Sequence, residues 1–237
     1  MRHVVLVILS SWFLLSACDE MPENMTKETP TSENAFYPYF YQYDTIPKIY
    51  VYRDLVDGLT EQFHRVFGIK DSQGEHIVVE IYDENRNLLE ATNYALDSLN
   101  VLDQMMIDFQ TGEKKATSIG ENDLIPMVRE DISKFTSIFQ GPQDSTLFMQ
   151  EIERSFAIEA DIEIMDKAIK TIVLDEKMSL TLMNPFTKEE GTRIFETKRY
   201  FAKDLGLVEW HSLSKSQHYR LEKIMSQTDF VNIMSKE

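Results

Sequence analysis

The residue with the most specific chemistry is Cys18, the only cysteine in a chain of 237 residues. A single thiol cannot form an internal disulfide, so its sulfur is available for modification. Cys18 follows Arg2, an apolar run from Val4 to Leu15, and the small residues Ser16 and Ala17. This layout is typical of a secretory signal peptide, with cleavage predicted between Ala17 and Cys18. The apolar run has about twelve residues, fewer than the roughly 20 that a helix needs to span a bilayer.

The four residues Leu15-Ser16-Ala17-Cys18 resemble the lipobox of bacterial lipoproteins. In that family the cysteine sulfur receives a diacylglyceryl group, the preceding peptide is removed, and the new amino terminus is acylated. The resemblance implies that Cys18 is the lipidation site and the first residue of the mature protein. Two or three acyl chains, such as palmitate, hold a protein on a membrane where one chain does not. The other interpretation is an ordinary cleaved signal with a chance cysteine.

Residues 18–35 are predicted to form a lipidated flexible tether, because they are polar and lack apolar periodicity. Asp19 and Glu20 directly follow the cysteine. An aspartate there resembles an inner-membrane retention signal of enteric bacteria, whereas an acidic pair resembles a surface-export signal of Bacteroidetes. The predicted location is therefore the bacterial cell envelope, at the periplasmic face of a membrane or at the cell surface.

The charge of the chain argues against nucleic-acid binding. Without residues 1–17, 23 Lys and Arg stand against 40 Asp and Glu, a net charge of −17. Such a surface repels phosphate backbones. The expected partners are the membrane, through acylated Cys18, and either an apolar ligand or an envelope protein.

Motifs for catalysis or metal binding are sparse, and we expect neither an enzyme nor a cofactor. The mature chain has four histidines, His64, His76, His211 and His218. His211 and His218 flank a predicted turn and could approach each other, but no cysteine is near and the HExxH spacing is absent.

The acidic stripe Glu159, Asp161 and Glu163 is interpreted as a solvated strand face, because alternate strand residues are nearly 7 Å apart and cannot converge on one calcium ion.

The sequence from Ile49 to about Met225 favours β-structure, with turn residues between runs of period two. The clearest alternation places Phe156, Ile158 and Ile162 on one face of a strand. Leu88–Leu102 has spacing compatible with either strands or a helix, and the tight turns around it favour strands. Pro126–Phe139 fits either a short helix or two short strands. Residues 226–237 are predicted to be a short tail, helical around Phe230.

These patterns predict a mainly β fold, an antiparallel meander of about nine to eleven strands with little helix. A sheet of that many twisted strands curls into an open or half barrel. The expected organisation is a signal peptide (1–17), the tether (18–35), one β-rich domain (36–225) and the tail (226–237).

Six aromatic residues lie within Phe36–Tyr43, which we call the aromatic segment. Tyrosine has an apolar body and a polar tip, so this segment suits a membrane interface or the lip of an apolar pocket. The simpler interpretation is an edge strand that packs its rings on the domain, where Pro38 is tolerated. The candidate ligand or interface residues of the chain are Tyr37, Tyr39, Phe40, Tyr41, Tyr200 and Trp210.

The stretch Thr197–Trp210 resembles the penultimate hairpin of envelope lipoproteins of the LolA/LolB-like half-barrel type: an aromatic strand, Ala-Lys, a turn glycine, Leu-Val and an aromatic. That resemblance covers fourteen residues and implies a concave sheet that shelters acyl chains. The leading hypothesis is therefore a non-catalytic lipoprotein that binds an apolar or acyl ligand. The alternatives are an accessory lipoprotein that recruits an envelope protein complex and a hydrolase on a β scaffold.

Overall fold

The computed structural model describes residues 34–72, 74–107, 112, 114–140, 146–184, 186–188 and 190–234. Cys18, the predicted signal peptide and nearly all of the predicted tether lie outside these ranges. The elements are a 3₁₀ turn Tyr37–Tyr39, β1 Lys48–Asp54, β2 Glu61–Asp71, β3 Gly74–Tyr82, β4 Leu88–Ala95, β5 Val101–Ile107, β6 Lys114–Ala116, β7 Ser118–Asn122, β8 Ile132–Gln140, β9 Leu147–Ile164, β10 Lys167–Met183, β11 Glu190–Ala202, β12 Gly206–Ser212, β13 His218–Ser226 and α1 Gln227–Met234.

All thirteen strands belong to one antiparallel sheet, in the order β6-β5-β4-β3-β2-β1-β13-β12-β11-β10-β9-β8-β7. Every pair of neighbours is also adjacent in sequence, except β1 and β13, which join the start of the domain to its end. The mainly β, antiparallel meander predicted from the sequence is confirmed. It has more strands than expected because β6 and β7 are very short and carry little periodic signal.

The sheet is open but strongly curved. Its edge strands β6 and β7 are not paired with each other, yet only Thr117 separates them in the chain. Because successive Cα atoms are about 3.8 Å apart, the two edges approach within about 8 Å at that point. The Thr117 amide and hydroxyl both donate to the Gln104 carbonyl, at 3.2 and 3.0 Å. The sheet therefore curls almost fully around one interior.

The aromatic segment fills part of this interior, and the predicted edge strand is wrong. Tyr37–Tyr39 forms a 3₁₀ turn with Pro38 in its first positions, where a residue without an amide hydrogen and with a fixed φ is favoured. Phe40 and Tyr41 are each only 5% exposed. The rings of Tyr41 and Tyr43 lie directly on Gly206 and Gly68, where a Cβ atom would collide with them.

The main core joins the aromatic segment to residues from most strands. Phe36 stacks on Phe156 at 6.0 Å between ring centroids, and Phe40 meets Tyr94 edge-on at 5.1 Å. The remaining core members come from both halves of the meander: Tyr50, Tyr52, Val66, Ile77, Val79, Leu96, Leu99, Ile125, Ile164, Ile172, Leu174, Phe201, Ala202, Leu207, Val208, Trp210 and Leu221. The interior thus packs as one continuous apolar body around the segment.

The predicted helical tail is confirmed, and it packs against the sheet. Phe230 of α1 is 2% exposed and lies against Ile49, Val51 and Phe63 of β1 and β2. Leu88–Leu102 contains β4 and the start of β5, as expected, whereas the stretch before β8 has no helix. No helix within the described ranges has both the length and the apolar character required to cross a membrane.

Candidate ligand-binding site

The sequence-predicted aromatic site residues take different places in the fold. Phe40, Tyr41 and Trp210 are buried members of the core, and Tyr37 and Tyr39 pack against it half-buried. Tyr200 is also half-buried and lies beside His211, with 5.7 Å between the ring centroids. These residues hold the interior together, and ligand contact at them stays a prediction.

A small hydrogen-bonded group surrounds the buried His64 inside the sheet. Its Nδ1 lies 3.5 Å from the Tyr41 hydroxyl and its Nε2 3.0 Å from the Gln62 side-chain oxygen. Tyr52 donates its hydroxyl hydrogen to the Leu207 carbonyl at 2.7 Å. Burial, with a smaller contribution from the positive Arg199, lowers the pKa of His64 to about 3. His64 is therefore neutral at physiological pH.

Three charged side chains face the interior from β9, β10 and β11, and we call them the buried ion cluster: Arg154, Glu176 and Arg199. Arg154 Nε and Arg199 Nε both donate to Glu176 Oε2, at 2.6 and 2.7 Å. Arg154 also donates from Nη1 to the Leu124 carbonyl at 3.0 Å. Burial alone would raise the pKa of Glu176, but Arg199 and Arg154 outweigh it and hold the pKa at about 2.

The same face of β8–β11 is apolar beyond the core. Cross-strand pairing puts Phe135 opposite Ile152 and Ile152 opposite Met178, in a core cluster with Val101 and Leu124. Residues directly opposite each other in paired strands project on the same side. Farther along the long strands, the same face carries five apolar residues. We call them the apolar strip: Phe139, Phe148, Leu180, Leu182 and Phe195.

The apolar strip is only partly covered. Leu182 and Phe195 are 41% and 42% exposed, and the rings of Phe139 and Phe148 stack at 5.4 Å. Arg193 lies directly opposite Leu180 at the margin of the strip and is exposed. Within the described ranges, no ion pair or hydrogen bond engages its guanidinium group. The strip thus combines an accessible apolar surface with one available positive charge.

Polar side chains of β8 and β9 lie between the apolar strip and the core. Ser137 donates its hydroxyl hydrogen to Gln150 Oε1 at 3.3 Å, and Gln150 Nε2 donates to the Met178 sulfur at 3.1 Å. These bonds satisfy the polar groups beside the strip from within the sheet. Sequence reasoning missed the strip, because its members come from four strands whose register is not visible in the sequence.

Other predicted site residues are simpler to place. Glu159, Asp161 and Glu163 are all exposed, as expected for a solvated face. His64 pairs with Ile81 and His76 with Ile69, at opposite ends of the β2–β3 pairing, so these two histidines do not meet. Cys18 lies outside the described residues, so its lipidation stays a prediction.

Comparison with known proteins gives two structural likenesses. No protein family model matches the chain, and no curated protein matches it. A Bacteroides fragilis protein described as exported and as having a YmcC-like fold is 14% identical, with a TM-score of 0.49, covering 79% of this chain and 99% of its own. A Parabacteroides distasonis protein described as a lipoprotein is 13% identical, with a TM-score of 0.48, covering 79% and 98%. Neither is described as LolA- or LolB-like, and that resemblance stays a prediction.

Proposed function

We propose that this chain is a lipid-anchored envelope protein, held by acylated Cys18, that binds an anionic amphiphile without transforming it. The acyl chain of the amphiphile lies on the apolar strip and its negative head meets Arg193. The observation that carries the proposal is the accessible apolar surface at Leu182 and Phe195, continuous with the core and bordered by the Arg193 guanidinium group, which no side chain of the described residues engages.

The size of the strip favours a small ligand over a protein partner. Its members span four neighbouring strands, or about 14 Å, and about four residues along each strand, or about 13 Å. The resulting area of roughly 200 Å² is about a quarter of the roughly 800 Å² that each partner contributes to a standard protein interface. An acyl chain needs only a narrow apolar surface, since each buried methylene contributes about 0.8 kcal/mol.

The charge distribution favours an anionic head group. The chain is strongly acidic overall, with a net charge of −16, so its surface as a whole repels anions. Arg193 is a local exception beside the strip, because no carboxylate of the described residues neutralises it. A guanidinium group binds carboxylate and phosphate with paired hydrogen bonds. Both fatty acids and phospholipids present such a head.

The alternative function, recruitment of an envelope protein complex, has less support from the geometry. Its candidate surfaces are the exposed sheet edges and the aromatic segment, and that segment is largely packed inside the sheet. Phe186, in the connection between β10 and β11, is 80% exposed and is a second candidate contact for a protein partner. Protein binding through this loop is one outcome of the experiment below.

We expect Phe195→Asn to weaken fatty-acid binding by about 3- to 10-fold, because full burial of a phenylalanine ring contributes about 1.5–3 kcal/mol and Phe195 has 42% of its surface still exposed for a ligand to cover. The measurement is displacement of a fluorescent long-chain fatty acid by oleate, with the unlipidated mature chain carrying Cys18→Ser. The matched control is Ile194→Asn. Ile194 is the neighbour of Phe195 on the same strand and is 58% exposed, but it projects from the opposite face, next to Ser179.

Arg193→Gln separates the head-group contact from the acyl contact. We expect it to weaken oleate binding while leaving binding of the neutral alcohol of the same length unchanged. Equal affinities in the Phe195→Asn and Ile194→Asn variants would contradict binding on the strip. A wild-type chain that binds no fatty acid but retains an envelope protein would favour the alternative function.

A further inference from the structure

Two histidines and a glutamate meet on the outer face of the β12–β13 hairpin, away from the interior and the apolar strip. His211 and His218 are directly opposite each other in the pairing, and Glu209 precedes His211 by two residues on the same face. The imidazole rings lie 5.3 Å apart between centroids, at an angle of 67°. One ligand atom from each of the three side chains lies within 4.8 Å of the others.

The distances suit a small metal ion. His218 Nε2 lies 2.9 Å from Glu209 Oε1, and His211 Nδ1 lies 3.9 Å from the same oxygen. Zinc binds histidine nitrogen and carboxylate oxygen at about 2.0–2.2 Å, which in a tetrahedron separates the ligand atoms by about 3.3 Å. The observed separations bracket this value, so modest rotations of the two imidazole rings would complete the geometry.

A second observation points to a ligand at this position. His211 Nδ1 is buried and has no hydrogen-bond partner among the described residues. A buried polar atom without a partner costs about 1–3 kcal/mol. Coordination of a metal ion would satisfy this nitrogen.

The carboxylate is already oriented for coordination. Arg220 Nε donates to Glu209 Oε2 at 2.6 Å and leaves Oε1 facing the two imidazoles. Glu209 is 4% exposed, and the backbone amide of His218 donates to Asp54 Oδ1 at 3.3 Å. Such outer contacts fix the direction of the ligand side chains and tune their affinity. Arg220 thus acts as a positioning residue for Glu209.

We propose that Glu209, His211 and His218 form a binding site for a divalent transition metal ion of the zinc class. Two imidazole nitrogens and one carboxylate suit Zn²⁺, whereas Mg²⁺ and Ca²⁺ prefer oxygen ligands. Three protein ligands leave a fourth position for water or another molecule, and both histidines are only half-buried. The bound ion joins β12 to β13, next to the β1–β13 pairing that brings the ends of the domain together.

The test is titration of the full-length, detergent-solubilised protein with Zn²⁺ against a chromogenic chelator. We expect one equivalent of Zn²⁺ to bind, and His211→Gln and His218→Gln each to weaken binding by at least about tenfold. Glu222→Gln is the matched control, because this carboxylate lies on the same hairpin but pairs with Arg53. It should bind Zn²⁺ as the wild type does, and millimolar Mg²⁺ should not compete.

Two results would overturn the metal site. One is wild-type protein without saturable Zn²⁺ binding, in which case His218 and Glu209 form only a hydrogen-bonded pair. The other is a His211→Gln/His218→Gln double variant that binds Zn²⁺ as tightly as the wild type, which would place the ion elsewhere. Circular dichroism confirms that each variant is folded, and the wild-type titration decides the question even if one variant is not.

Discussion

Replacing Glu176 with glutamine should destabilise the protein by about 3–5 kcal/mol, the largest effect that we expect from a single polar substitution. Glu176 is almost fully buried and accepts hydrogen bonds from Arg154 and Arg199 through one oxygen. Glutamine keeps the volume but removes the negative charge, so two guanidinium groups remain inside the sheet without a counter-charge. Urea unfolding at pH 7 gives the change in the free energy of unfolding.

The adjacent residue supplies the control for this substitution. Asp175 projects from the opposite face of β10 and pairs with Lys198 at 2.5 Å, with half of its side chain exposed. Both acids therefore pair with a cation on β11, and they differ in burial and in the second cation, Arg154, that Glu176 alone contacts. Exposed ion pairs contribute about 0–1 kcal/mol, so Asp175→Asn should cost no more than that. Similar losses in the two variants would show that the buried ion cluster is not the electrostatic centre of the interior.

The second large effect is on the pH dependence of stability. Folded His64 stays neutral down to about pH 3, because burial lowers its pKa, whereas the unfolded chain protonates it below about pH 6.5. Unfolding therefore takes up a proton between these values, and stability falls as the pH falls. The slope should approach about 1.4 kcal/mol per pH unit from this residue alone.

Urea unfolding between about pH 5.5 and 6.5 measures the contribution of His64, because Glu176, with its folded pKa held at about 2, begins to contribute only as the pH falls below about 5.5. His64→Gln should flatten the slope by about the amount that His64 contributes. Tyr52→Phe is the control: it removes the hydrogen bond to Leu207 and lowers stability at every pH without changing the slope. An unchanged slope in His64→Gln would mean that the imidazole is protonated in the folded protein.

The sequence predicted the strands well where apolar residues alternate with polar ones. Ile172 and Leu174 on β10 are buried as their spacing predicts. The burial of Glu176 on the same strand is not expected from the sequence. In a chain this rich in carboxylates, an acid that follows Asp175 is expected to face solvent. Only the pairing of β10 with β9 and β11 brings Arg154 and Arg199 to it.

The aromatic segment shows a different limit of sequence reasoning. Its composition predicted that its rings pack on the domain, but not that they enter the interior. The two positions that admit these rings, Gly68 and Gly206, are distant in sequence. Likewise, the approach of His211 and His218 could be predicted from the turn between them. The place of Glu209, two residues before His211, puts it on the same strand face, but only the structure shows that Arg220 holds its carboxylate against both imidazoles.

Native mass spectrometry of the full-length protein, extracted gently from its own membranes, reports the modification of Cys18 and any bound ligand together. We expect a mature chain that begins at Cys18, carries covalent acyl groups there, and holds one non-covalent anionic amphiphile. That amphiphile should be lost in Phe195→Asn and retained in Ile194→Asn. A wild-type protein that is acylated but carries no amphiphile, or a Phe195→Asn variant that retains it, would contradict ligand binding on the apolar strip.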